Sequence, residues 1–277
     1  MSLFSYNTLS VELSKETRSI SIKLNRPEVQ NAINTEMIFE LETLFTWIST
    51  HLEIKSIYLS GTGDYFCKGL DDKEFSTWTE EKRQKNFEKL QKLIYSMFFL
   101  PQTIIADLKK GCAGLGLELA MGADIRVSHK ETEVEFNHLS KGIVPSCGGI
   151  SFTSAVTNNS TARQWLLLSK KLNATDLVTH HITVESYDDF SPIQNFLKTI
   201  NSQPDVARIQ AKRSLLEPIL KNLDQGLEWE KKFSIAGMCT NDWKEIAIHG
   251  EDAETVSAKE LSSRLKRERA EQMSSGQ

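Results

Sequence analysis

Apolar and polar positions alternate in two runs near the start of the chain, Leu9-Ser-Val-Glu-Leu13 and Ser19-Ile-Ser-Ile-Lys-Leu24. A period of two predicts two antiparallel strands, joined by the polar turn 14–18. Pro27 then breaks any strand, and Asn34 can cap a helix. Over 35–50 the period lengthens: Met37, Ile38, Leu41, Leu44, Phe45 and Ile48 form one helical stripe. Ile54–Leu59 and Thr103–Leu108 read as strands, with a helix over 79–99 between them. Asp124–Ser128 and Glu133–Phe136 read as short strands. Beyond 150 the pattern is helical, over 150–157, 160–169, 174–180, 191–202, 204–222 and 225–237, with a strand hint only at Ile182–Glu185. Strands and helices in alternation, followed by helices, predict a layered α/β core with a helical C-terminal part. No internal repeat is visible. Ser257–Met273 reads as a surface helix in a charged tail.

The stretch from Lys109 to Asp124 organises the chain. A strand leads into Gly111, Gly114 and Gly116, and Leu117-Glu-Leu-Ala-Met121 begins a helix. Free backbone N–H groups at the positive end of a helix bind a phosphate or a developing oxyanion. A phosphate loop requires Lys and Ser/Thr where Leu117 and Glu118 stand, and a carboxylate repels a triphosphate. The dinucleotide fingerprint fails as well, because its glycines belong at the first strand–helix turn. An oxyanion site beside an acid/base carboxylate fits better. A second glycine turn, Lys141-Gly-Ile-Val-Pro-Ser-Cys-Gly-Gly149, precedes another helix.

The chain has 277 residues, 39% hydrophobic and 25% charged, so a substantial globular core is available. A net charge of −4 gives no basic balance for nucleic acid. No apolar run approaches the roughly 20 residues of a membrane span. The first residues lack a basic segment followed by an apolar one, so the expected location is cytoplasmic. Four cysteines, Cys67, Cys112, Cys147 and Cys239, form no C-x-x-C pair and read as reduced, buried fillers rather than nucleophiles or zinc ligands. His180 and His181 read as surface or packing residues.

Four motifs in order resemble the crotonase (enoyl-CoA hydratase/isomerase) superfamily. They are Leu24-Asn-Arg-Pro-Glu with Asn31-Ala-Ile-Asn34, Phe66-Cys-Lys-Gly-Leu-Asp-Asp-Lys-Glu74, Ala113-Gly-Leu-Gly-Leu-Glu-Leu-Ala120 and Gly142-Ile-Val-Pro-Ser-Cys-Gly-Gly149. The resemblance covers about residues 5–245. It implies a spiral of ββα units in two sheets, with a C-terminal helical region that drives trimerisation. The expected division is a core over 1–195, that region over 196–250, and a charged tail over 251–277.

The resemblance also implies chemistry. The substrate is an acyl thioester of coenzyme A, or of acyl carrier protein, which shares the pantetheine arm. No further cofactor and no metal are implied, and the assembly is a homotrimer or a dimer of trimers. The N–H groups of Leu70 and Leu115 would polarise the thioester carbonyl. Lys68, Gly69, Asp71, Asp72, Gly114 and Gly116 would line the substrate. Two departures from the family pattern stand out. From Gly111 to Glu118 the chain is one residue shorter. Of the two glutamates that hydratases of the family use, Glu118 is kept, but His138 occupies the place of the second, four residues before Gly142. An imidazole titrates near neutral pH and can pair with Glu118 as acid and base; it can equally be a polar lining residue. A hydratase, lyase or isomerase working through a thioester enolate is the first expectation. A thioester hydrolase, a decarboxylase and a non-catalytic acyl-CoA binder are the alternatives.

Overall fold

A computed structural model describes residues 5–238, 240 and 242–249, together with 263, 266 and 267. The predicted tail helix and Cys239 lie outside the described residues, apart from those last three. Among the described residues, nine strands form two sheets. The larger is built from β1 (Leu9–Ser14), β2 (Ser19–Leu24), β3 (Ser56–Gly61), β4 (Thr103–Asp107), β6 (Ile125–His129) and β9 (Glu185–Tyr187), in that spatial order. β1 and β2 are antiparallel and every other pair in it is parallel. The smaller sheet is β5 (Gly111–Ala113), β7 (Glu133–Glu135) and β8 (Lys171–Asn173), with β7 at its centre.

Side-chain alternation explains why the central strands read as continuous apolar runs. Ile57 and Leu59 of β3, with Ile104 and Ala106 of β4, share one core with α1 (Thr35–Ser49) and α3 (Glu80–Phe99). Tyr58, Ile105 and Val127 face the other way and pack with Ile193 and Ile200 of α8 (Ser191–Ser202). A parallel sheet covered on both faces has no polar side to show. The predicted stripe of α1 is buried throughout, and the Asn34 Oδ1 accepts the Met37 N–H at 2.9 Å. α8 straddles residues 195 and 196.

Each layer change carries the chain from one sheet to the other: β4 leads through Lys109 into β5 and then α4 (Leu115–Met121), and β6 leads into β7. Short bridges Ile33–Leu70, Tyr65–Lys109 and Cys67–Cys112 extend the ladder of the smaller sheet. Of the smaller sheet only β7 was expected, as the strand Glu133–Phe136; β5, β8 and α2 (Asp72–Thr77) are absent from the sequence expectations because they are too short for any periodicity to register.

The C-terminal helices differ from expectation in one respect. Residues 205–238 form a single helix, α9, rather than two, although it contains Pro218 and Gly226. Its second half buries Leu223, Leu227, Glu230, Ser234 and Met238, a stripe at spacings of three and four. Tertiary packing along that stripe carries the helix through residues of poor propensity. Its first half is pinned by Lys212, whose Nζ donates to Asp124 at 2.7 Å and to the Gln102 carbonyl at 2.9 Å.

Candidate active site

The loop after β3 is held from below. Asn31 is fully buried, and its Nδ2 donates to the carbonyls of Thr62 and Tyr65 at 3.0 and 2.8 Å, while its Oδ1 accepts the Arg26 N–H at 2.9 Å. The Arg26 guanidinium donates to the Ala32 carbonyl at 2.7 Å and to Asp71 at 2.9 Å. The Ile33 N–H donates to the Gly69 carbonyl at 2.8 Å, and the Asp71 N–H to the Ile33 carbonyl at 2.9 Å. The Asn-Arg-Pro motif is therefore a brace. It consumes the backbone groups around Leu70, and among the described residues the Leu70 N–H has no protein acceptor.

A matching strip comes from β5 and α4. The Ala113 N–H donates to the Cys67 carbonyl at 3.0 Å and the Gly114 N–H to the Glu135 carbonyl at 3.0 Å. The next N–H, of Leu115, also meets no protein acceptor among the described residues. Gly69 has φ +104°, and a Cβ there would lie 3.1 Å from the Ala113 carbonyl oxygen and 3.4 Å from the Leu115 nitrogen. Gly114 has φ +50°. Both glycines occupy left-handed backbone that a side chain would strain.

Glu118 stands in the first turn of α4 and is 1% exposed. Its Oε2 accepts the N–H groups of Cys147 and Gly149 at 2.7 and 2.9 Å, and its Oε1 lies 2.8 Å from the His138 Nε2. One carboxyl oxygen is thus engaged by two backbone N–H groups and the other by the imidazole, which fixes the Glu118 side chain in one orientation. His138 follows β7, at the start of the single turn Leu139–Lys141, and is 6% exposed. Its Nδ1 is buried and has no hydrogen-bond partner among the described residues. Gly149 makes this arrangement possible, because a Cβ there would lie 3.1 Å from the Glu118 carboxyl carbon.

Lys68, Gly69, Leu70, Asp72, Gly114, Leu115, Glu118 and His138 therefore converge on one small cavity of about 20 Å³, closed by Phe87, Ile143 and Ser146. That volume holds about one water. Lys141 and Asp72 bridge the rim at 3.0 Å. Two expected lining residues do not belong to this group. Asp71 turns away to cap α2 and pair with Arg26; burial pushes its carboxyl up, but the Arg26 hydrogen bond and charge outweigh that and hold it below the usual range. Gly116 faces Cys67, whose carbonyl oxygen would lie 2.4 Å from a Cβ there. Its role is close packing of α4 on the loop after β3.

The three described thiols, of Cys67, Cys112 and Cys147, are buried. Burial pushes Cys67 up to about 12 and drives Cys112 and Cys147 well above the ordinary thiol range. His180 lies edge-on to Trp165 at 5.1 Å, a packing contact. Sequence reasoning missed Glu230, which donates no motif but is 2% exposed near Glu118. Its signal was a carboxylate on the apolar stripe of α9.

Two residues whose backbone N–H groups have no protein acceptor among the described residues thus line the same cavity as a buried carboxylate–imidazole pair, an arrangement suited to acid/base work beside a developing negative charge. Residues 15–248 match the sequence model of the Enoyl-CoA hydratase/isomerase family, and the chain belongs to that family. It is 23% identical over 240 residues to the short-chain-enoyl-CoA hydratase of Clostridium acetobutylicum, covering 85% of this chain and 92% of the relative. It is 24% identical over 233 residues to the 1,2-epoxyphenylacetyl-CoA isomerase of Escherichia coli, covering 82% and 89%. A crystal structure of an enoyl-CoA hydratase/isomerase from Mycobacterium paratuberculosis superposes with a TM-score of 0.83 at 19% identity, covering 88% of this chain and 99% of that one.

Proposed function

We propose that this protein acts on acyl-CoA thioesters through an enolate, as a hydratase or isomerase in which Glu118 and His138 form the acid/base pair. The observation that carries this reading is the buried 2.8 Å contact between His138 and Glu118 in the cavity that Leu70 and Leu115 also line. The Leu70 and Leu115 N–H groups donate to the thioester oxygen. As a proton leaves the α- or γ-carbon, or water adds to the β-carbon, negative charge collects on that oxygen. Each preorganised donor contributes about 3–4 kcal/mol to such a transition state. In hydration the water oxygen bonds to the β-carbon, its proton passes to the pair, and a proton is returned to the α-carbon. In isomerisation the pair removes one proton and returns it two carbons away. Neither reaction changes oxidation state overall, so neither calls for a redox cofactor. Lys68 and Asp72 flank the thioester.

Thioester hydrolysis is the second reading. The engagement of both Glu118 oxygens leaves the imidazole as the group free to take a proton from water, as an oriented His does in hydrolases. A homotrimer or hexamer fits the exposed Leu215, Trp229 and Phe233 along α9, and the cytoplasm fits the reduced, buried thiols. Crotonyl-CoA and a panel of saturated acyl-CoAs test these readings, following enone absorbance and free thiol. Enone loss that disappears in both Glu118→Gln and His138→Ala supports the first reading. Thiol release without enone loss moves the assignment to hydrolysis. Tight binding without turnover of any thioester overturns both.

A further inference from the structure

The N–H groups of residues 147–151 are divided between two carboxylates. Those of Cys147 and Gly149 point to Glu118, at 2.7 and 2.9 Å. Those of Gly148 and Ser151 point to Glu230, at 2.9 and 2.6 Å, and the Ser151 hydroxyl donates to the same carboxyl. Consecutive N–H groups can face opposite ways here because Gly148 has φ +107°. Glu230 reaches the loop from α9, far along the chain from the other site residues. Gly226, one helical turn earlier on the same face, lets α9 approach, since a Cβ there would lie 2.5 Å from the Ser151 hydroxyl oxygen.

We propose that Glu230 is a positioning residue of the active site, holding residues 147–151 so that they aim Glu118 at His138, and adding its own charge to that pair. Two buried carboxylates on one short loop are not needed to end a helix. A single Asp or Ser cap serves that purpose at a surface. The second carboxylate fixes the loop from behind, so the Glu118 oxygens stay in one geometry while the front of the site handles protons. The groups that face Glu230 are few. Glu118 comes from α4 and the Cys147 thiol from the loop. The neighbouring Lys231 is engaged with Glu88 of α3 at 3.0 Å. Burial first, and the Glu118 charge second, push the Glu230 carboxyl up to about 7. Glu118 adjoins both Glu230 and His138, so a change of charge on Glu230 reaches the imidazole through that shared neighbour.

The role in turnover rests on the thioester reading, but the coupling does not, and the test separates them. The ring signals of His138 are followed by NMR against pH in the full-length wild-type protein and in Glu230→Gln, with His138→Asn to assign them. Ionised Glu230 favours the imidazolium. The His138 midpoint is expected to fall by about half a pH unit in Glu230→Gln. Superimposable curves from the two folded proteins overturn the proposal and leave the thioester reading intact. Should Glu230→Gln not fold, Gly226→Ala displaces the carboxylate with its charge kept; a moved His138 midpoint supports the coupling and an unmoved one overturns it. Absence of turnover by the wild type sinks the thioester reading alone. In an active enzyme, Glu230→Gln is expected to lower kcat at least tenfold with KM within twofold; a change in KM alone overturns the positioning role.

Discussion

Gly69→Ala probes the slot between the two N–H groups most directly. The new Cβ would sit 3.1 Å from the Ala113 carbonyl oxygen and 3.4 Å from the Leu115 nitrogen, in the space a thioester oxygen would take to reach Leu115. Two costs follow and they separate. Left-handed backbone at φ +104° strains an alanine by about 1–2 kcal/mol, which is a loss of stability. A loss of that size lowers Tm by roughly 2–8 °C in a chain of this size. Blocking one donor removes about 3–4 kcal/mol of transition-state stabilisation, or a 100- to 1,000-fold fall in kcat/KM. The variant is therefore expected to be folded at 25 °C and nearly inactive. Thermal unfolding and steady-state rates with the best thioester measure both. A folded variant with activity within threefold of wild type would refute the placement of the carbonyl between Leu70 and Leu115.

Two further predictions concern the supports of the site. Asn31→Ala leaves the Thr62 and Tyr65 carbonyls and the Arg26 N–H without their partner; it is expected to cost about 2–4 kcal/mol in a urea melt and to lower kcat, and an unchanged midpoint would contradict the bracing role. Glu230, at about 7 in the folded protein against 4.5 as its ordinary value, binds more protons folded than unfolded between those limits. Stability is thus favoured at the acid end and declines as pH rises from about 4.5 to 7, by at most about 1.4 kcal/mol per pH unit from this group, and Glu230→Gln is expected to flatten that part of the urea-derived stability curve; an unchanged slope would contradict the buried ionisation.

The parts legible in the sequence are those with a period or a rigid stereochemical demand. α1 announces itself by its stripe and its Asn34 cap, and β3 and β4 by apolar runs that only a doubly covered sheet accommodates. Gly69 and Gly114 were legible as members of glycine-bearing motifs, whereas the positive φ that makes a side chain costly there is a finding of the structure. The three-residue strands β5 and β8 were not readable, since their hydrogen bonds depend on partners distant in the chain. Asp71 was expected to line the site because the family resemblance implied it, but the direction of its side chain is set by Arg26, 45 residues away. Pairing of His138 with Glu118 was one expectation that the family resemblance implied, whereas Glu230 carries no local mark. Its partners are the backbone N–H groups of another segment, and any residue supplies those.

The most direct measurement is a crystal structure of the protein with a bound, unreactive acyl-CoA analogue. The thioester oxygen is expected about 2.7–3.1 Å from both the Leu70 and the Leu115 nitrogens. The His138 imidazole or the Glu118 carboxylate should then lie within direct or one-water reach of the α- or β-carbon. A carbonyl bound away from those two nitrogens, or a His138 more than about 6 Å from both carbons, would contradict the proposed chemistry.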